Sequence, residues 1–256
     1  MQPAVPSLWQ GWRHVVKLDP DKPLSRSQLR AVARSGTDAI ILGGTQGITR
    51  TKVMGLLAAL RPAPVPVFIE VSSTQAVLPG ADGYLVPVAL NSPHHRWVAG
   101  LHLEALARWG ARVPWRRTAA MGYIMMNPAS AAARQVGVAE APDLSGVLAC
   151  VRLAAGLWRL PVVYLEYSGR YGSPGLVARA RRAVDHLNRQ MGASTRLVYG
   201  GGIDDGAKAA AMAAVAHTVV IGNVIYRPDG VERLRATVRA VRALDRGRPG
   251  PGGEFA

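Results

Sequence analysis

Short runs of β-branched and aliphatic residues alternate with longer amphipathic stretches from one end of the chain to the other, the pattern of parallel strands joined by crossover helices. Eight runs read as strands, at 14–19, 38–43, 66–71, 83–88, 121–126, 161–167, 196–200 and 218–222. Helical periodicity follows at 25–35, 49–60, 93–109, 144–158, 174–191, 204–214 and 231–244. One crossover breaks the rule. Between the third and fourth strands lies only SSTQAVLPGAD, residues 72–82 with a Pro-Gly turn, too short for a regular crossover helix. No repeat at solenoid spacing and no Pro/Gly linker divides the middle of the chain. A single α/β domain over 1–245 is therefore expected: a modified (β/α)8 TIM barrel lacking a regular third helix. The final RGRPGPGGEFA, 246–256, reads as a disordered tail.

Composition narrows the surroundings. The 256 residues are 49% hydrophobic, enough for one substantial core. Against 16 Asp and Glu stand 31 Lys and Arg, a formal charge of +15 that attracts phosphates, nucleic acids or anionic lipid head groups. Much of that excess sits in segments such as Arg116-Arg117 and 179–182, where a solvated helix face explains it. No basic stripe is interleaved with aromatics, which argues against nucleic acid. The one cysteine, Cys150, excludes an intrachain disulfide, and no Cys/His spacing suggests zinc. The N-terminal segment is too interrupted by Pro, Gly and charge for a signal peptide, and no run approaches the roughly 20 apolar residues of a membrane span. A cytoplasmic location is expected, with contact at the inner membrane surface left open.

In a barrel of this kind chemistry sits on the loops after the strands. There the sequence places two glycine clusters, YGGGIDDG (199–206) and IGNVIY (221–226), where backbone N–H groups and helix N-termini can close on a phosphate through Gly202, Gly222 and Asn223. The sixth strand ends in YLEYSG (164–169). Period-two alternation points Tyr164 and Glu166 together into the barrel mouth, with Leu165 and Tyr167 facing away. An inward carboxylate is costly unless it is paired or used, and its use here would be as general base toward a substrate hydroxyl. Strand one ends in HVVKLDPDK, with Lys17 and Asp19 on one face: a point-charge phosphate ligand and a carboxylate of the kind that holds magnesium, or else an ion pair that only closes the barrel. The GGTQG loop after strand two offers the hydroxyl of Thr45. His94, His95 and His102 are read as solvent-facing or satisfied helix residues, not as ligands.

At HVVKLDPDK, GTDAIILGGTQGIT, YLEYSGRYG, LVYGGGIDD and VVIGNVIY the sequence resembles the heptaprenylglyceryl and geranylgeranylglyceryl phosphate synthase family of the bacterial PcrB type, over about 14–241. The resemblance implies a TIM barrel without its third helix and a homodimer. It implies magnesium-dependent transfer of a polyprenyl group from its diphosphate to the hydroxyl of sn-glycerol 1-phosphate, with release of pyrophosphate. By motif, Lys17 would bind the glycerol phosphate, and Asp19 and Thr45 would hold Mg2+. The segment Tyr164, Leu165, Glu166, Tyr167, Ser168 and Gly169, with Gly202, Gly222 and Asn223, would embrace the acceptor, Glu166 acting as base with Tyr164 beside it. In geranylgeranyl-type relatives a tryptophan blocks the 93–109 helix where this chain has Ala105, so a longer donor is expected here, with Trp109 as a more distant stop.

Two departures stand out. Thr45-Gln46 replaces the family's usual Ser-Asp, which removes one anionic group, and Arg170 stands where an apolar residue is usual. That arginine keeps a second reading open, a moenomycin-type prenyltransferase that uses 3-phosphoglycerate and a shorter donor. A non-enzymatic phosphometabolite or nucleic-acid binding barrel is the third.

Overall fold

The computed structural model describes residues 9–73 and 76–246, so all but one residue of the expected tail lies outside the described part. Eight parallel strands close on themselves in sequence order: β1 (His14–Leu18), β2 (Ala39–Leu42), β3 (Val67–Glu70), β4 (Gly83–Ala89), β5 (Thr118–Met125), β6 (Val162–Glu166), β7 (Arg196–Gly200) and β8 (Thr218–Ile221). Closure is made by β1 against β8, where Val15 pairs with Val220. The helices are α1 (Arg26–Ala33), α2 (Arg50–Leu60), α3 (Leu101–Trp109), α4 (Ala131–Gln135), α5 (Leu144–Val151), α6 (Pro174–Met191), α7 (Gly206–Val215) and α8 (Gly230–Arg246). The described residues between β3 and β4 form no α-helix, as the length of that connection requires.

Local chemistry sets the boundaries. Ser25 and Gln28 form a reciprocal capping box ahead of α1, Asp143 caps α5, and Ser173 with Pro174 opens α6, which Gly192 ends in the left-handed region at φ 58°. Two expected helices are corrected and one short helix is added. The 93–109 helix begins with a π-helical turn over Arg96–Gly100, and the 144–158 helix becomes π-helical over Arg152–Leu157. The short α4, capped by Ser130, was not legible because five residues carry too little periodicity.

Strand alternation divides the core in two. Val16, Leu18, Ile40, Leu42, Leu165 and Tyr167 face the helices, while Val15, Ile41, Phe68, Met121, Tyr123 and Tyr164 fill the barrel. Trp9, Trp12 and Phe68 close the end where the strands begin, with ring centroids 4.7 and 4.9 Å apart. Gly83 makes room for that plug, because a Cβ there would lie 2.1 Å from the Phe68 ring. Aromatics thus seal this end, and the Thr218 hydroxyl beside them is satisfied by the Trp12 carbonyl at 2.7 Å.

Candidate active site

Five inward side chains meet where the strands end. Lys17 Nζ donates to both carboxylate oxygens of Glu70 at 2.9 Å, and the Tyr123 hydroxyl donates to the same carboxylate. Tyr123 and Tyr164 are register partners on β5 and β6, and their rings stack with centroids 4.5 Å apart and planes 17° from parallel. Glu166, two residues further along β6, accepts from the Ser168 N–H at 2.7 Å. Opposite Glu166 in register is Gly200, where a Cβ would lie 2.0 Å from the Tyr164 hydroxyl oxygen, so the phenol occupies the space that glycine leaves.

The electrostatics follow from one cation among carboxylates in a poorly solvated place. Glu70 and Glu166 are each only 5% exposed. Burial alone would pull the Lys17 ammonium down, but Glu70, Glu166 and Asp19 outweigh it and hold the pKa above the ordinary lysine value. Burial pushes the Glu166 carboxyl above its ordinary range, with Lys17 and the Ser168 hydrogen bonds pulling the other way. Burial, reinforced by the same carboxylates, raises both Tyr123 and Tyr164 well above the usual phenol value, so both remain protonated donors. The site thus holds an ammonium paired with Glu70, two phenols that stay protonated, and the Glu166 carboxyl, which gains a proton more readily than a free one.

The remaining expected residues surround this centre. Asp19 follows β1 directly. Its Oδ1 accepts from the Asp21 N–H at 3.0 Å and lies 2.5 Å from where a Cβ on Gly44 would be, so the carboxylate leans over the Gly44-Thr45 turn. The ion pair open to Lys17 is therefore made with Glu70, not with Asp19. The Tyr226 hydroxyl accepts from the Asp19 N–H at 2.7 Å and donates to the Asp19 carbonyl at 3.5 Å, and burial pushes that phenol up to about 12. Lys22 Nζ reaches Asn223 Oδ1 at 3.0 Å. Gly201 and Gly202 have φ of 140° and 62°, and a side chain on either would run into the main chain at Tyr167 or Tyr171. The glycine loop after β7 is thereby packed directly onto the loop after β6. Leu165 and Tyr167 point into the outer core, as alternation required, so only their main chain reaches the mouth. Ser168, Gly169 and Arg170 are exposed there.

A single cavity of about 1100 Å3 starts at this centre, lined by Lys17, Thr45, Glu70, Glu166 and Ser168. It leaves the barrel beneath α3 and runs along the outward residues Tyr84, Val86 and Val88 of β4 to Trp115 and Trp158 near the opposite end. Trp97, Leu101, Ala105 and Trp109 line its outer wall. No residue of α3 is fully buried, because the helix covers this groove instead of packing on the barrel. His102 also lines the groove and is satisfied by the Pro87 carbonyl at 2.9 Å.

Sequence reasoning missed Glu70 and Tyr123. FIEV presents an acid within an apolar strand, and the alternation that turned Glu166 inward applies equally to Phe68 and Glu70, so the signal was present. Tyr123 shares its inward parity with Met121 and Met125, whose apolar character gave no reason to single it out.

Comparison with known proteins agrees with this geometry. A heptaprenylglyceryl phosphate synthase of Geobacillus kaustophilus is 43% identical over 245 residues, 96% of this chain and 98% of that protein. Another from Brevibacillus brevis is 42% identical over 234 residues, covering 91% and 97%. The crystal structure of (S)-3-O-geranylgeranylglyceryl phosphate synthase from Thermoplasma acidophilum, in complex with sn-glycerol-1-phosphate, superposes with a TM-score of 0.79 at 23% identity over 95% of this chain and all of that one, a likeness of fold. The PcrB family model matches residues 7–242, and with relatives this similar over nearly its whole length, the chain belongs to the PcrB family.

Proposed function

We propose that this protein transfers a long, heptaprenyl-like group from its diphosphate to the free hydroxyl of sn-glycerol 1-phosphate, releasing pyrophosphate. The observation that carries the reading is the continuity of the cavity: charged and hydrogen-bonding groups at one end, then a long path with apolar walls. A substrate with an anionic head and a polyprenyl tail matches both halves. In the reaction the allylic carbon–oxygen bond to the diphosphate breaks, a carbon–oxygen bond to glycerol forms, and the hydroxyl proton passes to Glu166. Its raised pKa, from burial, makes it a stronger proton acceptor than an ordinary glutamate. Lys17 stays charged and supplies a cation to the acceptor phosphate, while Glu70 and Tyr123 hold it in place. The glycine loop ending at Gly202 and the turn at Gly222 and Asn223 supply main-chain donors around that phosphate.

Magnesium fits this end of the cavity with Asp19 and Thr45 as protein ligands. No group of three or more His, Cys, Asp or Glu residues suited to a metal occurs among the described residues. One carboxylate, one hydroxyl and the oxygens of a diphosphate is nonetheless the sparse, substrate-completed set that magnesium takes. When bound it neutralises the leaving diphosphate.

The test is Glu166→Gln, which keeps the shape but cannot take the proton. Transfer of a radiolabelled prenyl group should fall by roughly 100-fold or more, with circular dichroism unchanged. Activity within a few-fold of the parent removes Glu166 from the role of base.

A further inference from the structure

At the far end of the groove the surface changes character. Leu103, Trp115 and Leu157 are 61%, 62% and 78% exposed, and Leu106 and Trp158 are exposed beside them. Apart from Leu157, which adjoins Trp158, all of these line the groove itself, so the apolar wall continues onto the molecular surface without a break. No described helix is long and apolar enough to cross a membrane.

Arginines ring the same patch. Arg108, Arg112, Arg116, Arg152 and Arg159 are all exposed, and among the described residues none has an acidic partner. The one acidic residue of α3, Glu104, is already paired with Arg96 at 3.0 Å. Arg108 lies 4.8 Å over the Trp109 ring. Arg159 has φ of 55°, the one residue other than glycine in the left-handed region among the described residues. It directly follows Trp158, at the end of the π-helical turn that leaves Leu157 and Trp158 outside the core.

We propose that this face, built around Trp115, Leu157 and Trp158 and ringed by unpaired arginines, docks the protein onto an anionic lipid bilayer. The groove would then open directly into the leaflet, so that a polyprenyl tail passes between membrane and active site without crossing water. Exposed tryptophan and leucine with arginines at their margin is the composition of an interfacial membrane anchor, and the excess positive charge selects an anionic surface. The inference rests on the proposed prenyl transfer only for its purpose; the docking itself stands on exposure and charge.

Co-sedimentation of the full chain with vesicles tests it. Binding is expected to mixed phosphatidylcholine and phosphatidylglycerol vesicles, to weaken with salt, and to be much weaker with phosphatidylcholine alone. Leu157→Glu, and separately Arg116→Glu with Arg159→Glu, should each lower vesicle affinity by about tenfold or more. Transfer from a short, water-soluble prenyl diphosphate without vesicles should be unchanged in both variants. That control separates the two readings: vesicle binding without any transfer removes the prenyltransferase function and leaves the docking surface standing. Failure of the parent to bind anionic vesicles overturns the proposal. So does a dimer in sedimentation that Leu157→Glu converts to monomer while vesicle binding persists, because the face is then covered by a second copy.

Discussion

Replacing Ala105 by tryptophan places a large side chain in a groove whose wall Ala105 already forms, between Leu101 one turn before it and Trp109 one turn after. The helix is not packed into the core at this point, so the new ring has somewhere to go: into the path itself. Four residues of helix separate positions 105 and 109, about 6 Å along the groove. The substitution should therefore move the effective stop toward the catalytic end by a short stretch of tail and leave the head site untouched. Each prenyl unit brings five carbons. At about 0.8 kcal/mol per buried methylene, excluding one unit costs up to about 4 kcal/mol, or roughly a thousandfold in affinity for a donor that needs the distal groove. The assay compares kcat/KM across prenyl diphosphates of increasing length for the parent and Ala105→Trp, with glycerol 1-phosphate saturating. The parent should accept long donors and the variant should prefer short ones, with the same KM for the acceptor. An unchanged length profile means that the tail does not pass Ala105, and the assignment of the groove fails with it.

Three further outcomes follow from the centre. Lys17→Ala removes the cation that Glu70 pairs with and that the proposed acceptor phosphate would use, so the acceptor KM should rise at least tenfold or activity disappear; saturation at the parent's concentration makes Lys17 purely structural. Because Lys17 pulls the Glu166 carboxyl down against burial, the acid limb of the pH–rate profile, already above an ordinary glutamate, should move to still higher pH in the residual activity of Lys17→Met; a limb that stays put or falls contradicts the coupling. Arg170 is exposed at the mouth with its main chain against Gly202, so Arg170→Val should selectively depress any use of 3-phosphoglycerate and spare glycerol 1-phosphate; equal effects on both reject a contact with an acceptor carboxylate.

The architecture and three of the five central side chains were legible because both rest on period-two alternation. All eight strands, the inward Lys17, Tyr164 and Glu166, and the outward Leu165 and Tyr167 follow from that one rule. What alternation cannot supply is partnership across the barrel. Lys17 and Glu70 are 53 residues apart in sequence and meet only because β1, β2 and β3 are in register, Lys17 beside Ile41 and Ile41 beside Phe68. The π-helical turns were equally hidden, since a local change in hydrogen-bond spacing leaves the apolar periodicity of Arg96–Gly100 and Arg152–Leu157 intact.

The short third crossover and the tail path have one physical origin. A parallel barrel ordinarily hides the outward face of every strand under helices, and a strand left uncovered exposes apolar surface to water. Here the described residues between β3 and β4 form no α-helix, and Val71, Ser72, Ser73, Val77, Leu78, Pro79 and Gly80 line the groove instead. Tyr84 on the outward face of β4 is buried under that connection, its hydroxyl donating to the Leu78 carbonyl at 2.7 Å, while Val86 and Val88 face the groove beneath α3, none of whose residues is fully buried. Leaving so much apolar wall unpacked forgoes stability that an ordinary barrel would gain, roughly 25 cal/mol per Å2 of surface that stays wet. Such a deficit is retained where a ligand supplies the missing contacts. A bound polyprenyl tail would take the place of the missing helix, burying the face of β4 and the inner face of α3 in one event. Donor binding should accordingly stabilise this protein against unfolding more as the tail lengthens, up to the length at which Trp109 or the far mouth ends the groove.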